Sequence, residues 1–128
     1  MATTDLTAET FGEAIQQHDI VLVDFWASWC GPCRTFAPTY EAASEKHPDA
    51  LFAKVDTEAQ QALAAHFQIR SIPMLMIFRE QVLLYSQPGA LPAEALEEVL
   101  TKVKALDMAE VHAKVAEQAE QAPATSDT

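Results

Sequence analysis

The chain has 128 residues, of which 49% are hydrophobic and 21% are charged, so it can bury one substantial core and is too short for two ordinary domains. Its 19 acidic residues outnumber the 8 Lys and Arg residues and give a formal net charge of -11. A field of that sign repels phosphate backbones and anionic lipid head groups, so neither nucleic-acid nor membrane binding is expected. The N-terminus lacks the basic and apolar regions of a secretory signal, which predicts a cytoplasmic protein.

The first half of the chain predicts alternating helices and strands. Thr7 suits the N-cap of a helix over about 8–17, and the apolar run Ile20–Trp26 is typical of a strand buried on both faces. A second helix is expected to follow residue 30 and to continue to about residue 47, with Pro38 inside it. A strand over 51–56 and a short helix over 59–67 come next.

The second half predicts a hairpin and a final helix. Residues 74–78 and 82–85 are apolar runs separated by three polar residues, which indicates an antiparallel hairpin without the usual turn glycine. Pro92 suits the first position of a helix over about 92–105. Together the elements predict an α/β fold, with a central mixed sheet of four to five strands and helices on both faces.

A separate acidic extension is expected after residue 106. Asp107, with Glu110 three residues later, is a helix-start signal, so an extra C-terminal helix is predicted over about 108–120. The last residues, 122–128, are expected to be disordered. The chain is therefore predicted to comprise a domain over 1–106 and an extension over 107–128.

The two cysteines, Cys30 and Cys33, lie at the predicted start of the second helix. A Cys-x-x-Cys pair there brings two sulfurs within reach of a short disulfide, and the unpaired amides of the first turn favour a thiolate at the first cysteine. Half of a zinc site and two unreactive core thiols are the alternatives. Metal binding is not favoured, because there is no third cysteine and the four histidines show no ligand-pair spacing: His18, His47, His66 and His112.

Asp24 is the one charged residue in the apolar run Ile20–Trp26. Burial of an ionised carboxylate is unfavourable unless it is paired, so the pKa of Asp24 is expected to be raised. The alternative is a carboxylate that points to solvent at a sheet edge.

Residues 23–33, Val-Asp-Phe-Trp-Ala-Ser-Trp-Cys-Gly-Pro-Cys, are similar to the active-site signature of the thioredoxin family. The resemblance covers about residues 5–106, and the extension is not part of the family pattern. It implies the thioredoxin fold. The later positions that agree in order and spacing are Pro38, Lys54, Asp56, Ile72-Pro73 and Gly89.

The resemblance also implies roles for these residues. Cys30 would be the exposed nucleophile and Cys33 the buried resolving thiol, while Asp24, with Lys54 beside it, would pass protons to and from Cys33. Pro73 would follow a cis peptide bond opposite the cysteines. Met74 stands where the family more usually has Thr, and Trp26 is expected to pack in the core. The predicted docking surface for extended client peptides comprises Trp29, Gly31, Pro32, Ile72, Pro73, Met74, Gly89 and Ala90.

The function implied by the resemblance is reduction of disulfides in client proteins. The chain would bind no cofactor and would be recharged by a flavin-dependent thioredoxin reductase that uses NADPH. One alternative is an oxidase or isomerase of an oxidising compartment, which the Gly-Pro dipeptide disfavours because it accompanies reducing potentials in this superfamily. Another is a binding protein whose C-terminal extension docks a partner or a second copy.

Overall fold

Five strands and five helices make up the part of the chain that the computed structural model describes, residues 2–121. The strands are β1 (Thr3–Asp5), β2 (Ile20–Trp26), β3 (Leu51–Asp56), β4 (Met74–Arg79) and β5 (Val82–Pro88). The helices are α1 (Ala8–Gln17), α2 (Gly31–Lys46), α3 (Gln61–His66), α4 (Ala93–Ala105) and α5 (Met108–Gln121). The strands form one sheet in the order β1-β3-β2-β4-β5, in which β1, β3 and β2 are parallel and β4 is antiparallel to both of its neighbours.

The predicted α/β architecture is confirmed, and the differences lie in an extra strand and in element bounds. β1 is absent from the predicted elements because its three polar residues show no alternation; its pairing with β3 makes it a strand. α3 is shorter than the predicted 59–67, since an Asp56 carboxylate oxygen accepts the amides of Glu58 and Ala59 and holds that segment in a turn. Pro92 is the N-cap of α4 rather than its first residue.

The central strand β2 packs on both of its faces, as its continuous apolar run predicts. Because side chains alternate along a strand, Val21, Val23 and Phe25 contribute to the core beneath α1 and α3, while Ile20 and Leu22 contribute to the core beneath α2 and α4. The same alternation puts Asp24 on the α2 side of the sheet. Asp24 therefore belongs to the most enclosed strand of the fold, and this strand ends four residues before Cys30.

The β4–β5 turn forms without glycine. Its two central residues, Glu80 and Gln81, have φ of 51° and 68°, the two positive values that a type I′ turn requires. Tertiary contacts hold Glu80 in this conformation: its amide donates to the carbonyl of Asp19 at 2.8 Å, and its carboxylate lies 2.7 Å from Nε2 of His112 in α5. These contacts offset the steric cost that makes glycine the usual choice.

The predicted extra helix is present as α5, and Asp107 is its N-cap, with a carboxylate oxygen that accepts the amides of Ala109 and Glu110. Met108 is buried, whereas Val115 is 42% exposed. The predicted disorder of residues 122–128 lies outside the described residues. None of the described helices is both long and apolar enough to cross a membrane.

Candidate active site

Cys30 and Cys33 form a disulfide at the N-terminus of α2, with their Cα atoms 5.2 Å apart. Cys30 is the N-cap residue, and its Sγ accepts the backbone amide of Cys33 at 3.2 Å. The same sulfur lies 3.7 Å from the carbonyl oxygen of Ile72. An amide donor and the positive end of the helix dipole therefore both act on the Cys30 sulfur, and both favour a thiolate there once the pair is reduced.

The expected difference in exposure between the cysteines is wrong for this disulfide state. Cys30 is only 4% exposed and Cys33 is 3% exposed. Ala27 is buried with them, and Trp26 and Ile72 pack against this small cluster. The two cysteines are thus distinguished by their positions relative to the α2 amides and the Ile72 carbonyl rather than by burial.

Asp24 is a buried carboxyl group at the centre of the sheet. It is 1% exposed, and among residues 2–121 neither carboxylate oxygen has a hydrogen-bond partner. Burial raises the pKa of Asp24 from 3.8 to about 7, and the positive charge of Lys54 opposes part of that rise. The predicted pKa shift is confirmed, and the sheet-edge alternative is wrong.

Lys54 lies opposite Asp24 in the parallel β2–β3 register and also contacts Trp26. Its Nζ is 4.9 Å from the centroid of the Trp26 ring, within the range of a cation–π interaction. Trp26 itself packs beside the cysteine cluster, as predicted, and its buried Nε1 has no hydrogen-bond partner within the described chain. Lys54 therefore links Asp24 to Trp26, and Trp26 packs against the cysteines.

The buried hydroxyl group of Tyr40 lies near Asp24. The phenol of Tyr40 is fully buried on α2 and donates to the carbonyl of Ala53 at 2.7 Å. Burial, and next the negative charge of Asp24, raise the pKa of Tyr40 well above its ordinary value, so the phenol stays protonated. Tyr40 lies seven residues after Cys33, on the same helix face.

The segment before β4 brings the predicted docking residues to the cysteines. The Ile72–Pro73 peptide bond is cis, as the resemblance implies, and the Pro73 carbonyl accepts the Gly89 amide at 2.8 Å. Gly89 has φ of 110°, a conformation that favours glycine. This hydrogen bond ties the end of β5 to the segment that carries Ile72.

The predicted docking residues differ in exposure. Trp29 is 65% exposed and Met74 is half-buried, with its Sδ 3.8 Å from the hydroxyl oxygen of Ser86. Gly31, Pro32, Gly89 and Ala90 are exposed, Ile72 is half-buried and Pro73 is buried.

Two charged side chains that the sequence analysis omits contact the turn before Cys30. The indole Nε1 of Trp29 donates to a carboxylate oxygen of Glu58 at 3.1 Å. On the other side, Nη1 of Arg34 donates to the carbonyl of Ser28 at 2.7 Å. Both lie outside the signature residues and depend on tertiary contacts, so no local pattern marks them.

A groove of about 360 Å³ between α1 and α3 is lined by Phe11, Ile15, Phe67 and Phe78 among others, and none of the predicted site residues lines it. Among residues 2–121, no group of three or more His, Cys, Asp or Glu side chains is placed to hold a metal ion. The exposed residues beside the disulfide, Trp29, Gly31 and Pro32, offer a surface that suits an extended peptide chain.

Comparisons with known proteins agree with this geometry. The family model for thioredoxin matches residues 2–102. A thioredoxin 2 candidate of Streptomyces coelicolor is 54% identical over 121 residues, which is 94% of this chain and 90% of that protein. A thioredoxin of Alicyclobacillus acidocaldarius is 42% identical over 103 residues, 80% of this chain and 98% of its own length.

The solved structures agree as well. The structure of Plasmodium falciparum thioredoxin superposes with a TM-score of 0.73 at 31% identity, covering 78% of this chain and 98% of that one. The Streptomyces alignment omits fewer residues than the extension contains, so it reaches into α5. This chain belongs to the thioredoxin family and is a thiol–disulfide oxidoreductase that reduces protein disulfides through Cys30 and Cys33.

Proposed function

We propose that the two cysteines divide the reaction, with Cys30 as the attacking thiol and Cys33 as the resolving thiol. The observation that carries this assignment is the Cys30 sulfur at the N-cap of α2, where it accepts the Cys33 amide and faces the Ile72 carbonyl. The Cys30 thiolate attacks one sulfur of a client disulfide, forms a mixed disulfide and releases the other client sulfur as a thiolate. The Cys33 thiolate then attacks the Cys30 sulfur, re-forms the Cys30–Cys33 disulfide and releases the second client thiol. Two electrons pass from the chain to the client.

Asp24 is the proposed proton acceptor for Cys33. The thiol of Cys33 must lose its proton before the second attack, and its buried surroundings leave little access for bulk water. A carboxyl group with a pKa of about 7 and no hydrogen-bond partner is suited to accept a proton near neutral pH and to return it later. Lys54 stabilises the ionised carboxylate that must accept this proton.

The docking surface proposed for clients is formed by the shallow region around Cys30. The Ile72 backbone lies beside the cysteine sulfur, and an extended client segment that paired with it would bring its own disulfide to Cys30. Small or backbone-lined positions impose little sequence selection, so many clients are accommodated. The remaining members of this surface are Trp29, Gly31, Pro32, Pro73, Met74, Gly89 and Ala90.

Trapping of a mixed disulfide tests the division between the cysteines. Replacing Cys33 with Ser leaves the attacking thiol and removes the group that resolves the complex, so incubation with a disulfide-containing protein yields a covalent adduct through Cys30. The adduct is measured by intact-mass spectrometry without reductant and by peptide mapping. The Cys30→Ser chain is the matched control and forms little adduct. Equal trapping by both variants would contradict the proposed assignment.

The proposed electron donor is a flavin-dependent thioredoxin reductase that uses NADPH, and the proposed compartment is the reducing cytoplasm. Both are supported by the family and by the Gly-Pro dipeptide between the cysteines. With a purified bacterial reductase and insulin, NADPH consumption at 340 nm is expected to require this chain. Consumption that is no faster than without the chain would contradict this donor class.

The division of the chain into a catalytic domain over 1–106 and an extension over 107–128 is part of the same proposal. It is supported by the family match, which ends at residue 102.

A further inference from the structure

The turn that presents Trp29 is held from two sides. The amide of Cys30 donates to the carbonyl of Ala27 at 3.2 Å and closes a turn with Ser28 and Trp29 at its tip. The indole of Trp29 is 65% exposed, so core packing does not fix it. What holds it is the hydrogen bond to Glu58, while Arg34 holds the neighbouring Ser28 carbonyl.

The backbone of Glu58 is itself fixed to the end of the sheet. Both the amide and the hydroxyl of Thr57 donate to the carbonyl of Trp26, at 2.9 and 3.0 Å. A carboxylate oxygen of Asp56 accepts the Glu58 amide at 2.9 Å. Glu58 therefore extends from a loop that is tied to the last residue of β2, three residues before Trp29.

Arg34 completes the arrangement from α2. Its backbone amide donates to the carbonyl of Cys30 at 3.2 Å, and its guanidinium reaches back to Ser28. A charge-assisted bond of 2.7 Å to a carbonyl restrains the turn more than a neutral contact would. The charged side chains of Glu58 and Arg34 thus restrain the side chain of Trp29 and the backbone of Ser28.

We propose that Glu58 is a positioning residue for client binding, which acts by holding the exposed Trp29 indole in its docking orientation, with Arg34 restraining the turn. The proposal rests on the proposed function, in which Trp29 belongs to the docking surface. An indole that is already ordered loses little side-chain freedom when a client packs on it, so the cost of that ordering does not reduce client affinity. The chemistry at the sulfurs is unaffected, because Glu58 bonds the indole and not a cysteine.

The test separates client affinity from the rate of exchange. Each pre-reduced chain is mixed with increasing concentrations of insulin, and release of the insulin chains after acid quench gives a half-saturating concentration and a limiting rate. For Glu58→Ala, the half-saturating concentration is expected to rise about twofold to tenfold, with the limiting rate within about twofold of the wild type. Glu58→Gln keeps an oxygen that accepts the indole N–H and is expected to restore the wild-type value.

Glu98→Ala is the matched control, because it removes an exposed carboxylate from α4 and leaves the turn intact. It is expected to match the wild type. If Glu58→Ala leaves the half-saturating concentration unchanged, or if Glu58→Gln raises it as much as Glu58→Ala does, the positioning role is wrong. A wild-type chain that released no insulin chains would instead contradict the proposed function, so the two failures are distinguishable. Should Glu58→Ala unfold, Arg34→Ala, which releases the other side of the turn, is expected to raise the same concentration.

Discussion

Insulin reduction by this chain is expected to fall to the rate of dithiothreitol alone when Cys30 is replaced with Ser. A hydroxyl group cannot form the mixed disulfide, and the remaining Cys33 thiol lacks the N-cap position that favours a thiolate. The expected loss is on the order of a thousandfold or more, since removal of a covalent nucleophile typically has an effect of this size or larger. Turbidity of the precipitating insulin B chain measures the rate.

The Cys33→Ser chain is compared with it, because this variant retains the attacking thiol of Cys30. It cannot re-form the Cys30–Cys33 disulfide, so it also cannot complete the cycle. Both variants lack the disulfide, so both are compared with the reduced wild type by circular dichroism to confirm equal folding. Activity of Cys30→Ser clearly above the dithiothreitol rate would show that Cys33 can initiate exchange alone, against the proposed division.

Replacing Asp24 with Asn is expected to stabilise the oxidised chain, and more so as the pH rises. The folded-state pKa of about 7 exceeds the ordinary value of 3.8, so between these values the native state binds a proton that the unfolded state has lost. The contribution of Asp24 to the free energy of unfolding is therefore fully present at low pH and is lost as the pH rises from about 4 through about 7. The total loss is up to about 4 kcal/mol. An amide at this position carries no such loss.

Urea unfolding at pH 5 and pH 8 measures this effect. The free energy of unfolding of Asp24→Asn minus that of the wild type is expected to increase by roughly 2.5 kcal/mol between the two pH values. Asp5→Asn is the matched control, since Asp5 pairs with Lys54 in the register from the other side but is exposed. A difference that does not change with pH would contradict the raised pKa of Asp24.

The same substitution should slow catalysis. If Asp24 accepts the Cys33 proton, its loss lowers the rate of insulin reduction at pH 7 by about tenfold to a hundredfold, which is the lower range for general acid–base groups. Stability and activity therefore change in opposite directions, and a merely structural residue would not behave in that way. An Asp24→Asn chain with the wild-type rate would remove Asp24 from the mechanism.

The fold was predictable where the pattern is local and strong. Ile20–Trp26 is apolar except for Asp24, short, and rich in β-branched and aromatic residues, which favours a strand buried on both faces and so a central position in the sheet. β1 could not be predicted, because Thr3–Asp5 becomes a strand only through its parallel pairing with β3. The β4–β5 turn was placed correctly, but its backbone depends on Asp19 and His112, which are distant in sequence.

The site residues also differ in whether a local pattern predicts them. Cys30, Cys33 and Asp24 could be identified from one short run, because a dithiol at a helix start and a carboxyl group in an apolar strand are unusual in themselves. Glu58 is separated from Trp29 by 29 residues, and nothing about an acidic residue in a loop marks it as a partner of an indole. The equal burial of the two cysteines could not be predicted either, since it arises from residues that meet only in the folded chain.

Arg79, at the end of β4, closes the body of the molecule without help from the extension. Its Nη1 donates to the carbonyls of Val103 and Lys104 within α4, at 2.9 and 3.2 Å, and to that of Leu106 just beyond the helix at 3.2 Å. The last carbonyls of α4 are thus capped by the sheet itself. A chain shortened to Leu106 would therefore keep this end of α4 capped, while it would lose the contact of His112 with Glu80 in the β4–β5 turn.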